Sequence, residues 1–241
     1  MIVNYTKNGW EVITQRAHGM LAAQLASHWH HSVRTERWLE TLLAIAEHDD
    51  ARVEPGDDEL LTHQGGPADF KMKTYNQGHC QRTFEASISK SRYVALLCSM
   101  HLDFVYGSLC KNNAEDQSFM KAQEALRRGW RKELHITIKQ AEKDYRLMEW
   151  CDALSLLICQ RENQPEGRAV EISKGPDNGN YLLTQDEPGI LKITPWPFEE
   201  KEFKVAFETR LINQLTFKNN DEFRKAFYAA GVIEKSWIIK H

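Results

Sequence analysis

No stretch of this chain comes near the roughly 18 unbroken apolar residues of a membrane-crossing helix, so a helical membrane protein is not expected. A surplus of basic residues is missing as well. Lys and Arg number 31 against 34 Asp and Glu, for a formal charge of -3, so no global basic field exists to hold nucleic acid or an anionic membrane. The five cysteines are an odd number and form no CxxC pair. Cys98, Cys151 and Cys159 lie inside apolar runs, where a thiol acts as a small hydrophobe. That usage fits a reducing compartment better than a disulfide framework. The opening residues Met1-Ile2-Val3-Asn4-Tyr5 lack the basic start and apolar run of a signal peptide, so a cytoplasmic protein is the expectation. Walker, GxSxG and GxGxxG motifs are all absent, which removes the commonest nucleotide-binding and hydrolase signatures. Internal repeats and low-complexity tracts are absent too.

What is present suits a globular chain. Of 241 residues, 41% are hydrophobic and 27% charged, enough for a sizeable core and against long disorder. Strands at Ile2-Val3 and Trp10–Ile13 flank Asn8-Gly9, a strong hairpin signal. Thr14 stands where an N-cap belongs, and helical spacing follows through His18, Leu21, Ala22 and Leu25. A second helix is predicted over 35–49, with Trp38, Leu42, Ile45 and Asp49 on one face. Residues 51–74 form a loop broken by Pro55-Gly56 and Gly65-Gly66-Pro67. Further helices are predicted over 76–89 and 92–109. A polar helix over 115–140 and an apolar one over 145–159 follow, either as two helices or as one with a kink. After Gln164-Pro165-Glu166-Gly167 the period drops from 3.6 to 2. Short strands are predicted at 169–172, 181–183, 190–193, 203–207 and 237–239, with a helix at 220–229. The expected fold is therefore α+β but mainly α. A hairpin plus helical bundle occupies 1–164, and a β-rich C-terminal part over 165–241 packs on the same domain and pairs with the hairpin.

Among ten histidines, a few fall on apolar faces. His18 stands with Leu21, Ala22 and Leu25; His48-Asp49 ends the helix of Trp38 and Ile45; His101 lies between Leu97 and Phe104. Asp152 has Met148 and Leu156 one turn away on either side, so it faces inward. A carboxylate is rarely buried without a partner, and unpaired burial costs several kcal/mol or more. An arginine such as Arg146 or Arg161, a hydrogen-bond network or a cation must therefore meet Asp152. Each of these residues taken singly reads more readily as a structural group; together they point to one shared polar or metal site. His28, His30 and His31 around Trp29 read as surface groups, Gly65-Gly66-Pro67 with Asp69 as a turn, and Arg127 to Lys132 as a solvated basic face.

The order of these residues resembles the HD-domain metal phosphohydrolases, with a His on an early helix, a His-Asp doublet, another His, and an Asp on a late helix. That resemblance implies that His18, His48, Asp49, His101 and Asp152 hold one or two divalent ions. Fe, Mn, Zn and Ni all suit such a mixed set. Bound metal lowers the pKa of water and makes a nucleophile near neutral pH. Asp50 is then an orienting group or proton acceptor, and Arg52 or a nearby Lys would hold phosphate on a small phosphorylated substrate.

The same residues are similar to a bacterial family, the domain of unknown function 3891, over nearly the whole chain. The matching segments are Ile13-Thr14-Gln15 with His18, Ala44-Ile45-Ala46 before His48-Asp49-Asp50, Gly65 with Pro67 and Phe70, and Tyr93 to Leu97 before Ser99-Met100-His101. Asp152-Ala153-Leu154-Ser155-Leu156 with Cys159 and Pro195-Trp196-Pro197-Phe198 complete the set. The chain departs from the family's usual Gly-Trp after the acidic pair, carrying Ala51-Arg52, and has Gln64 where a Thr is common. The resemblance groups the residues without implying a reaction. Two other readings stay open. The inward groups form a hydrogen-bonded network in a small-ligand-binding or structural protein, or the β-rich tail offers an edge strand to a partner.

Overall fold

The computed structural model describes residues 1–51, 54–56, 59–162 and 164–241. Arg52, named above for phosphate, lies outside the described residues. Among the described residues, an N-terminal hairpin of β1 (Ile2–Thr6) and β2 (Gly9–Ile13) leads into six helices. These are α1 (Gln15–Ser27), α2 (Trp38–Glu47), α3 (Gln77–Ile88), α4 (Arg92–Tyr106), α5 (Ala114–Glu133) and α6 (Ile138–Cys159). Then come β3 (Val170–Lys174), β4 (Asn180–Glu187), β5 (Ile190–Thr194), β6 (Glu202–Ile212), α7 (Asn220–Ala229) and β7 (Val232–Lys240).

The helix ends follow local chemistry. Thr14 accepts from the Ala17 amide and caps α1. The polar and apolar helices predicted over 115–159 are two, but they divide earlier than the hydrophobic pattern suggests. His135 takes a positive φ of 55° and breaks the chain after α5. Thr137 and Gln140 then form a capping box that starts α6 at Ile138, so the polar residues before Tyr145 belong to α6. The basic run on α5 is not a uniformly solvated face either. Arg127 and Trp130 are buried, with Arg127 donating to the Ser99 carbonyl and to Asp103.

The expectation of an HD-like helical bundle with a minor β-rich part is overturned. The strands form one curled, mixed, seven-stranded sheet in the order β1-β2-β6-β7-β5-β4-β3. The hairpin joins it through β2 against β6, and β5 and β7 run parallel. Its apolar face is part of the main core. Ile2, Ile13, Leu183, Leu191, Val205, Phe207 and Ile239 share one cluster with Leu25, Ile45, Leu96, Trp150 and Leu154 from the helices. The sheet was underestimated because its longest strands are masked by polar residues. The alternation of β6 passes through buried Thr209, whose hydroxyl donates to the Val12 carbonyl instead of adding an apolar side chain. Most of β7 is exposed, with Ile239 its buried residue, so the two-residue period is barely visible there.

Candidate metal centre

Four helices converge beside this core. Helix α1 packs on α2 and α6, and α2 and α6 each pack on α4. The contact of α1 with α2 is close because residue 19 is glycine: a Cβ there would stand 2.4 Å from the Ala46 carbonyl oxygen. That approach puts His18, one residue earlier, against the C-terminal end of α2, where His48 and Asp49 follow. Asp152 comes from α6 and His101 from α4.

The three imidazoles are buried. The His18 and His48 rings meet edge to face at 5.0 Å, and those of His48 and His101 at 4.9 Å. His18 Nε2 lies 3.5 Å from Asp152 Oδ1 and 3.8 Å from Asp49 Oδ2. His48 Nε2 lies 3.3 Å and 3.9 Å from the same two oxygens. Donor atoms of His18, His48 and Asp49 lie within 4.8 Å of one another, as do those of His48, His101 and Asp152. The carboxylates form the open side: the side chains of Asp49 and Asp152 are 22% and 13% exposed, against 1% for His18 and His48.

Hydrogen bonds on the far side of the His18 and His48 rings fix which nitrogen of each faces the centre. His48 Nδ1 is 2.8 Å from the Ile45 carbonyl, which only accepts, so Nδ1 carries the proton. The Ser155 hydroxyl donates to the Asp152 carbonyl at 2.8 Å. Its oxygen is therefore left to accept from His18 Nδ1 at 2.7 Å. With Nδ1 the protonated nitrogen, each of these two rings turns its Nε2 to the centre. The carboxylate oxygens opposite are acceptors as well. Among the described residues His48 Nε2 makes no hydrogen bond despite its burial. Lone pairs converging on carboxylates repel unless a cation or a proton lies between them.

The titration behaviour follows. Burial works against the charged form of His48, but the Asp152 and Asp49 carboxylates outweigh it and raise its pKa to about 9. Burial would raise Asp152, yet His48, then His18 and His101, hold it below the ordinary carboxylate range. Asp49 is held well below that range against its own burial, by His18 and His48 chiefly. Burial and the neighbouring His48 push His101 down to about 4.

The residues singled out in the sequence thus separate. His18, His48, Asp49, His101 and Asp152 come together. Asp50 turns to Arg16, whose Nε is 3.5 Å from its carboxylate. Arg161 does not meet Asp152 but pairs with Glu11. Gly65 takes a positive φ of 81° and lies against the Phe217 backbone. Asp69 caps the turn after it and accepts from the Val3 amide, so this loop serves packing. His28 and His30 pair with Glu200 and Glu199. Two further members of the cluster were named in the sequence only within the family-matching segments and given no role there. Gln15 donates to Asp49 Oδ2 at 2.6 Å, and Ser155 orients His18. Each stands three residues from a member of the cluster, Gln15 from His18 and Ser155 from Asp152, and that spacing on one helix face was the available signal.

The family described as Protein of unknown function (DUF3891) matches residues 1–214, and the chain belongs to it. The match takes in β1 through β6 and every helix of the site. No curated protein and no solved structure matches the chain. The likeness to HD-domain enzymes therefore rests on the order of these His and Asp residues alone. Among the described residues no helix is long and apolar enough to cross a membrane.

Proposed function

We propose that this family member holds one divalent cation, Fe, Mn, Zn or Ni, and hydrolyses a small phosphorylated molecule with it. One observation carries the reading: the buried Nε2 atoms of His18 and His48 face the Asp152 and Asp49 oxygens at 3.3–3.9 Å, while both Nδ1 protons are spent elsewhere. Donors about 2.0–2.2 Å from a common ion stand roughly 3.0–3.5 Å apart, close to these separations. Ring nitrogens anchored on a carbonyl and a hydroxyl are the outer support that metal-ligating histidines use. His48 has one free lone pair and belongs to both donor groups, which favours a single ion over two. The ligand types suit borderline divalent metals, with two carboxylates balancing the charge.

A cation there supplies acidified water able to attack phosphorus near neutral pH. The chain's residues do the rest. The three imidazoles wall off the interior side, and the partly exposed Asp49 and Asp152 mark the direction from which substrate arrives. Asp50, held by Arg16, steadies the end of α2.

The test is elemental analysis of untagged protein beside His48→Ala and Asp152→Ala. Near-stoichiometric metal in the parent, its loss in both folded variants, and parallel loss of phosphoester turnover are expected. No metal in the parent after incubation with divalent ions sinks the reading. The cluster would then be a structural network closed by a protonated His48.

A further inference from the structure

Away from the candidate metal centre, α4, α5 and the start of α6 border a hollow of about 570 Å³, within the roughly 300–1,000 Å³ usual for small-molecule sites. Each helix turns one face to it. Arg127 and Arg131 stand one turn apart on α5, and Ile138 and Glu142 one turn apart on α6, so each pair shares a side of its helix. None of the His and Asp residues of the metal centre lines this space. The rings of Phe104 and Tyr145 line it and stand 6.4 Å and 6.3 Å from that of His101, so they form a partition between the two.

The hollow holds two sets of opposite charge, and they differ. Arg127 is buried and satisfied by Asp103 at 2.9 Å and by Ser99. Arg131 and Glu142 line the same space, yet neither side chain makes an ion pair or a hydrogen bond among the described residues. Apolar surface is left uncovered beside them. Phe104 and Ile138 keep 61% and 58% of their surface exposed, although both line a concavity. The C-terminal end of α4 opens on the hollow as well, through Gly107 and Ser108, and the partial negative charge of a helix C-terminus favours a cation.

We propose that this hollow binds a free α-amino acid with a large apolar side chain, in its zwitterionic form. Arg131 takes the carboxylate, for which a planar guanidinium is the best-matched partner. Glu142 takes the ammonium group, helped by the end of α4. Phe104 and Ile138 cover the side chain and lose their contact with water. An apolar anion would meet Arg131 but be repelled by Glu142, and an apolar cation would meet Glu142 but be repelled by Arg131. A zwitterion answers both charges and adds none. The proposal does not draw on the metal reading, and the hollow is a second site beside it.

The experiment is calorimetric titration of L-phenylalanine, 3-phenylpropionate, phenethylamine and glycine into the chelator-treated parent, Arg131→Gln and Glu142→Gln. Phenylalanine is expected to bind the parent at least tenfold tighter than the other three, each of which lacks one of the recognised groups. Arg131→Gln should weaken phenylalanine tenfold or more and leave phenethylamine no weaker. Glu142→Gln should weaken phenylalanine by a similar factor and leave 3-phenylpropionate no weaker. Melting without ligand should be the same in all three proteins, because neither side chain has a partner to lose. Absence of phenylalanine binding in the parent overturns the proposal. So does 3-phenylpropionate binding as tightly as phenylalanine, or equal phenylalanine affinity in the parent and both variants. Because metal is removed throughout, failure of the metal reading leaves these outcomes unchanged.

Discussion

Two acidic clusters lie in this molecule, one in the sheet and one among the helices, and only one of them is paired with Lys and Arg among the described residues. In the sheet, Glu11 of β2 is fully buried. Lys235 and Arg161 each take one of its oxygens, and Asn4 Nδ2 donates to it at 3.2 Å. Burial would raise its pKa, but Lys235 and Arg161 outweigh that and hold it low. Among the helices, Asp49 and Asp152 have no Lys or Arg partner among the described residues. Their nearest basic groups are imidazoles whose outer protons are already committed. A carboxylate kept for architecture is surrounded until its acceptors are used. A carboxylate kept for a ligand is left short by one cation. That contrast, more than any motif, separates the candidate site from the rest of the core.

The largest way to break the comparison is pH, because only the helical cluster holds a group whose raised pKa makes it fail on the alkaline side. His48 has a folded pKa of about 9, raised from 6.5. In metal-free protein its contribution is complete below pH 6.5 and is lost as pH rises through 9. Integrated over that window, the loss is up to about 3 kcal/mol. Glu11 has a lowered pKa, so its contribution is present above the unfolded value of about 4.5 and is lost as pH falls further. Urea unfolding of chelator-treated protein from pH 6.5 to 9 should show the first loss. Metal-loaded protein should not show it, since ion and proton compete for the same Nε2 and binding tightens with pH. Flat stability in both preparations would mean that His48 carries no such proton.

A smaller effect is expected from opening the closed cluster. Lys235→Met leaves buried Glu11 with Arg161, whose side chain is 47% exposed. Breaking a fully buried pair costs about 3–5 kcal/mol. With one cation remaining and Lys235 itself 30% exposed, the expected loss is nearer 1–2 kcal/mol by urea unfolding. Metal content should not change. If this variant loses metal while staying folded, the two clusters are coupled and the division between closed and open does not hold.

The site was legible before the fold was. His18, His48, His101 and Asp152 betrayed themselves by polarity on apolar helix faces, a signal that needs only the 3.6-residue period. Asp50 shows that adjacency in sequence is not adjacency on a helix end: one residue past Asp49 the side chain points to Arg16. Arg127 was read as solvated because its neighbours Arg128 and Arg131 are basic, and charge runs hide the one member that turns inward. The sheet was hard to see for a different reason. The joining of the hairpin to the C-terminal strands was expected and is met by β2 against β6, but the order of the sheet also depends on pairing of β5 with β7, nearly 50 residues apart, which no local pattern records. Gly19 lay in plain view as a glycine inside a helix, which costs about 1 kcal/mol against alanine. Only the packed structure shows that the carbonyl of Ala46 is what it admits.

The smallest expected effect is the most specific to the open cluster. Ser155 touches no ligand atom that faces the centre. It accepts from His18 Nδ1 and donates to the Asp152 carbonyl, and so fixes the His18 tautomer from behind. Ser155→Ala removes that acceptor from a fully buried position and leaves the Nδ1 proton unsatisfied. The ring can then place its proton on Nε2, which removes a ligand from the centre. Outer-shell changes of this kind weaken metal binding about 10–100-fold. Because the Asp152, Asp49 and His48 donors remain, about tenfold is expected here, read by competition against a chelator of known affinity. Far-ultraviolet circular dichroism should be unchanged, and the Glu11 cluster in the sheet should not respond. Unchanged affinity in Ser155→Ala would mean that His18 does not ligate through Nε2, leaving His48, His101 and the two aspartates as the whole of the centre.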